Sequence, residues 1–216
     1  MSDDTPDKLY IAAAKGGDLT ALRAALGNGA DLYAYDGGLC AMSHAVQQGH
    51  EHIVDELLER GFNPDFGHEK GSATPLQVAC GWGQTAIAEK LILAHADLNA
   101  RNEFGDDPLS WALEFNDRAC VDLLLDAGAN PKNAQAQASL MVREHPENAD
   151  IVKYFNEIVA SGLTPGEIRS NQIKAQNARE GEALAQHLKD GLAAPITTVK
   201  PLRLTGIRHM LCQIWQ

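Results

Sequence analysis

Apolar residues recur at spacings of three and four in short runs separated by polar stretches that carry glycine. Ile53, Val54, Leu57 and Leu58 form one run, and Val121, Leu124 and Leu125 another. Each predicts one buried face of a short α-helix. Turn residues frame the runs at fixed intervals. Gly17, Gly49, Gly83 and Asn116 follow one another at a nearly constant interval, and each stands the same distance ahead of a second landmark, Gly29, Gly61, His95 and Gly128. Glycine takes positive φ without steric cost and asparagine at little, so each landmark predicts a helix end where the chain turns, with His95 the weak member. Thr74-Pro75 and Asp107-Pro108 place a capping oxygen and then proline at a helix start. The unit so defined is helix, turn, helix, loop, and the fold class it predicts is all-α.

A repeat of that kind predicts layers piled side by side, because one helix pair cannot bury its apolar face alone. The run Thr74-Pro75-Leu76-Gln77-Val78-Ala79 and the run Leu123-Leu124-Leu125-Asp126-Ala127-Gly128-Ala129-Asn130 carry the resemblance to a known family. They resemble the ankyrin repeat, whose unit opens with Thr-Pro-Leu-His and closes with Gly-Ala-Asp-Val-Asn. The resemblance implies an α-solenoid with β-hairpin-like loops, four repeats within residues 1–131 (about 3–34, 35–68, 69–101 and 102–134). The family histidine that ties neighbouring repeats is replaced by Ser43, Gln77 and Ser110, which puts those links in question. The first unit lacks Thr-Pro at its expected helix start, as befits an N-terminal cap.

Past residue 131 the likeness thins. Ile151, Val152, Phe155, Ile158 and Val159 keep helical spacing up to Ser161-Gly162, which reads as a degenerate fifth unit. A sixth is suggested by a turn at Asn177–Gly181, then Ala183, Leu184 and Leu188 closing at Gly191, so residues 132–191 read as degenerate repeats or a cap. The tail 192–216 holds Lys200, Arg203 and Arg208 and no acid. Ile207, Met210, Leu211, Ile214 and Trp215 make it a short amphipathic segment, either capping the last repeat, docking a partner, or frayed.

The chain carries 18 Lys and Arg against 29 Asp and Glu, a formal charge of −11. That disfavours nucleic acid and anionic lipid as partners and favours a basic protein. Cys40, Cys80, Cys120 and Cys212 form no CxxC pair, and the acidic N-terminus does not look like a signal peptide, so a reducing, cytoplasmic setting is expected. Cys80 and Cys120 read as small core residues at unlike positions in their repeats. No nucleophile elbow, phosphate loop or His-Glu-x-x-His is present. His50-Glu51-His52 is the sole histidine cluster, and residues two apart on a helix diverge too far to share a metal. Asp107 reads as a helix cap and Asp3-Asp4 as a solvated terminus. No cofactor, metal or catalytic residue is therefore expected.

By the resemblance, loop tips and first-helix ends face a partner. That implies Tyr33, Tyr35, Asp36 and Leu39 on the first tip, and Phe66 and Lys70 on the second. Arg101, Glu103, Phe104 and Asp106 come from the third, and Gln47, Gln48, Trp82, Glu114 and Phe115 from the helix ends. Trp82 beside Phe115 and Phe66 beside Phe104 would form an aromatic column, and Tyr33 and Tyr35 would share one side of their tip. The function expected is a non-catalytic module that binds another protein. The alternatives are an inhibitor of immunity type that neutralises a basic enzyme or toxin, and an enzyme with its site in residues 132–216.

Overall fold

The computed structural model describes residues 5–67 and 72–191, with the side chains of 184, 185 and 187–191 excepted. The expectations for Lys70, for Asp3-Asp4, for Cys212 and for the tail 192–216 lie outside the described residues. Helices α1 (Pro6–Gly16) and α2 (Leu19–Gly27) form the first pair, followed by strands β1 (Tyr35–Asp36) and β2 (Leu39–Cys40). Then come the pairs α3 (Ala41–Gln48) with α4 (Glu51–Glu59), α5 (Pro75–Gly81) with α6 (Thr85–Leu93), and α7 (Pro108–Glu114) with α8 (Arg118–Asp126). A 3-10 turn, Pro146–Asn148, joins α9 (Lys132–Glu144) to α10 (Ala149–Ser161), and α11 spans Pro165–Gly191.

All eight landmarks have positive φ, His95 at 65° and Asn116 at 58° included. Cys40, Thr74 and Asp107 each stand at the same offset before a landmark and accept the N–H of the third residue on, through Cys40 Sγ (3.5 Å), Thr74 Oγ1 (3.3 Å) and Asp107 Oδ1 (2.8 Å). The expectation that the first unit lacks Thr-Pro is corrected: Thr5-Pro6 starts α1, one helical turn ahead of the common frame, so α1 is a turn longer than α5 and α7.

The first helices stack in the row α1, α3, α5, α7, α9, and the second helices α4, α6, α8 stack behind them. Small side chains make the close approach possible: Ala14, Ala45, Ala79 and Ala112 are fully buried. Second helices contribute the bulk, with Leu22, Ile53, Leu57, Ile87, Leu91 and Leu124. Truncating one such leucine to alanine costs about 2–5 kcal/mol.

Polar links recur with the same period, the first within its layer and the others between layers. The backbone N–H groups of Asp31, Asn63, Asp97 and Asn130 donate to Asp7 Oδ1 (2.8 Å), Tyr33 Oη (3.2 Å), Asp65 Oδ1 (2.7 Å) and Asn99 Oδ1 (2.8 Å) respectively. Between α2 and α4, Arg23 Nε (3.0 Å) and Arg60 Nε (2.6 Å) donate to the buried Glu56 carboxylate. These hydrogen bonds hold its pKa down at about 2.

The fifth unit forms as α9 and α10, closed by Gly162 at φ 67°. The sixth does not. Residues 177–181 make no turn, and α11 runs through Gly181 as one 27-residue helix. Its first residues belong to the repeat unit, where Gly166 N and Arg169 bind Asp126 and Asp122. A second compact unit begins at Ser170, and residues 170–183 are exposed throughout.

Candidate partner-binding surface

Glycines 37 and 38, both at positive φ, form the tight turn of the β1–β2 hairpin. Tyr35, in β1 opposite Cys40, is 57% exposed, and Asp36 beside the turn is paired to Lys15 Nζ at 2.7 Å. Leu39 is half-buried in β2. His44 Nε2 donates to Asp36 O (3.2 Å), and burial holds the imidazole below the ordinary histidine pKa, although this bond pulls the other way.

Tyr33 does not join Tyr35 on the surface, and Phe66 does not stand beside Phe104. Both are half-buried around Phe62, at ring-centroid distances of 4.8 Å for Tyr33–Phe62, 5.8 Å for Phe62–Phe66 and 4.6 Å for Tyr33–Phe66. The cause is local. Phe62 follows its landmark where the other layers have Ala30, Ala96 and Ala129, and so large a ring needs walls. Phe62 in an alanine position was the sequence signal for this cluster.

The tip at 99–107 is held from three layers. Asn102 Oδ1 accepts the N–H groups of Phe104 (3.0 Å) and Asp106 (2.9 Å). Gln77 Nε2 donates to Ala100 O (3.0 Å) and Asp106 O (2.7 Å), and Asn133 Nδ2 to Gly105 O (3.0 Å). Gln77 therefore restores the inter-layer link that loss of the family histidine had put in question. Ser110 Oγ donates instead to the cap Asp107 (2.8 Å), and Ser43 Oγ contacts the cap Cys40 (3.3 Å). Asp106 is half-buried, while Arg101, Glu103 and Phe104 project, Phe104 at 78% exposure.

At the ends of the first helices Gln48, Trp82, Glu114 and Phe115 are exposed and Gln47 is half-buried. The ring contact of Phe115 is with Trp111, 5.7 Å between centroids, a residue the sequence reading missed. Trp111 lies across Gly81 so closely that a Cβ there would stand 2.5 Å from Trp111 Cε3. Its Nε1–H is buried without an acceptor among the described residues. A glycine inside α5 at a position held by Gln47 and Glu114 in adjacent layers was the signal for it.

The histidine cluster is arranged otherwise than expected. His50 precedes α4, so its ring does not follow helical geometry, and the two rings stand 6.0 Å apart on the end of α1. Nε2 of His50 meets Lys15 O (3.1 Å) and Nε2 of His52 meets Gly17 O (2.8 Å). Both rings serve carbonyls at the end of the preceding layer's first helix. Cys80 and Cys120, read as unrelated, also come together. Their hydrogen bond and their burial raise the Cys80 pKa well above the ordinary thiol value. A buried, protonated thiol is a poor nucleophile.

Among the described residues no group of three His, Cys, Asp or Glu side chains is placed to hold a metal ion, and no helix is long and apolar enough to cross a membrane. A groove of about 470 Å³ between α9 and α10 is lined by Gln135, Ala138, Ser139, Val142, Val152 and Asn156. That lining has no carboxylate, imidazole or thiol to act as a base.

A family model described as ankyrin repeats (3 copies) matches residues 9–102 and 66–136. An ankyrin repeat domain-containing protein of Stachybotrys chartarum is 33% identical over 91 residues, 42% of this chain and 4% of that one. A putative ankyrin repeat-containing protein of Treponema pallidum is 32% identical over 94 residues, 44% of this chain and 32% of that one. A probable E3 ubiquitin-protein ligase of Oryza sativa subsp. japonica is 28% identical over 165 residues, 72% of this chain and 33% of that one. The chain thus spans a third or less of the length of these relatives.

Proposed function

The chain belongs to the ankyrin repeat family, and from that premise we propose that it is a non-catalytic module holding a partner protein against the face made by its first helices and loop tips. One observation carries the proposal. Among the described residues every large aromatic ring that is more than half exposed lies on that face: Tyr35, Trp82, Phe104 and Phe115. Exposed aromatics on a rigid frame are the side chains that supply most contact energy in protein interfaces.

The frame is rigid where it matters, since Phe104 sits on a loop whose backbone is fixed by Gln77, Asn102 and Asn133. Pre-organisation lowers the entropy lost on binding. The buried free cysteines 40, 80 and 120 fit a reducing compartment such as the cytoplasm. The test is the pair of variants Trp82→Ala and Phe104→Ala. Neither ring is core, so the circular-dichroism melt is expected to stay within a few degrees, while capture of a partner from native lysate, identified by mass spectrometry, falls. Unfolding of either variant would remove these rings from the surface and sink the reading.

A further inference from the structure

The charges around the exposed rings say what kind of segment they take. Most described basic side chains that form ion pairs do so within the helical frame. Lys15 pairs with Asp36, Arg23 and Arg60 with Glu56, Lys90 with Asp55 (2.7 Å), and Arg169 with Asp122 and Asp126 (2.9 Å each). Arg118 is spent differently, 3.6 Å above the centre of the Tyr154 ring. Most of these pairs lie on the second helices, away from the loop tips.

On the partner face, apart from the Lys15–Asp36 pair at the hairpin, the pattern reverses. Glu103 and Glu114 are both exposed and make no ion pair among the described residues, and each directly precedes an exposed ring, Phe104 and Phe115. Arg101, on the same loop as Glu103, pairs with neither. A carboxylate beside an aromatic face is complementary to a guanidinium or ammonium group, which can stack on the ring and bond to the acid together. Trp111 extends the apolar surface next to the second pair and lies across Gly81, the residue before the exposed Trp82.

Resting on the reading of this face as the binding surface, we propose that its occupant is a segment of a partner protein bearing arginine or lysine alternating with apolar residues, with two cations seated on the Glu103–Phe104 and Glu114–Phe115 pairs. Apolar side chains of the same segment cover Trp82 and Trp111.

The test uses the full chain and two synthetic peptides of equal length, one with Arg alternating with Leu and Ala and the other with Glu for Arg. Affinity is read by fluorescence anisotropy. The Arg peptide is expected to bind the wild type at least about tenfold more tightly than the Glu peptide, and to weaken at ~0.5 M salt, where exposed charge attraction is screened. The double variant Glu103→Gln/Glu114→Gln is expected to weaken the Arg peptide about tenfold. The control Glu59→Gln/Glu89→Gln, with the same charge change on α4 and α6, should weaken it by less than about twofold. Equal effects of the two double variants, equal binding of the two peptides, or no binding of the Arg peptide at millimolar concentration would overturn the proposal. If Trp82→Ala/Phe115→Ala weakens binding while the glutamate pair does not, only the charge inference fails. If the ring variant has no effect either, the binding-face reading fails with it.

Discussion

At the residue scale, two glycines show how differently one residue type acts. Gly29 has φ 90° and open space around its α-carbon, whereas Gly17, at φ 72°, has the His50 ring where a Cβ would go, 2.8 Å from Cε1. Gly29→Ala bears the cost of positive φ alone, about 1–2 kcal/mol. Gly17→Ala must also push His50 off the carbonyl of Lys15, so urea denaturation should show the larger loss. The double variant Gly17→Ala/His50→Ala should recover the difference between them. If the two glycine variants lose the same stability, the His50 contact contributes nothing. Positive φ at the landmarks was legible in the sequence because spacing alone marks those positions, even for His95. What the ring of His50 does there was not, since it depends on a neighbour in the preceding layer.

At the element scale, the loop 99–107 stands or falls with one side chain that belongs to another layer. Gln77 is fully buried, accepts the Thr74 N–H through Oε1 at 2.7 Å, and donates to two carbonyls of the next tip. Gln77→Ala strands the buried Thr74 N–H, about 1–3 kcal/mol when unsatisfied, and leaves two half-buried carbonyls without their donor. Ser110→Ala removes one hydroxyl bond to Asp107, about 1 kcal/mol. Thermal melts should rank Gln77→Ala well below Ser110→Ala, and amide exchange in Gln77→Ala should rise first at Phe104 and Asp106. An unchanged exchange rate at those amides would mean that Asn102 and Asn133 hold the tip without Gln77. The repeated elements were readable because their period fixes both helices at once. The sixth pair was misread because one glycine costs a helix only about 1 kcal/mol, and Gly181 sits among the strong helix formers Ala178, Arg179, Glu180, Glu182 and Ala183. The partner face was readable only in outline: exposed rings at the ends of periodic elements could be named, but Tyr33 and Phe66 were claimed by Phe62.

At the scale of the whole array, acid should open the stack from one end. His44 is held below the ordinary histidine pKa by burial, and Glu56 is held down at about 2 by Arg23 and Arg60. Both groups bind protons less readily folded than unfolded, so each contributes stability above its unfolded pKa that is lost as pH falls. The His44 contribution fades below about 6.5 and that of Glu56 between about 4.3 and 2. Both lie in the first two layers, where Glu56 joins α2 to α4 and His44 anchors the hairpin. A stack coupled only between neighbours unravels from its weakest end. At pH near 4, amide exchange in α1–α4 should therefore rise before that in α7 and α8, with the order set by these two groups. Glu56→Gln has no carboxylate to protonate there, so its melting temperature should lie below that of the wild type at neutral pH and approach it on acidification. Parallel curves for the two proteins from pH 7 to 2, or earlier exchange in α7 and α8, would place the acid-labile contacts elsewhere.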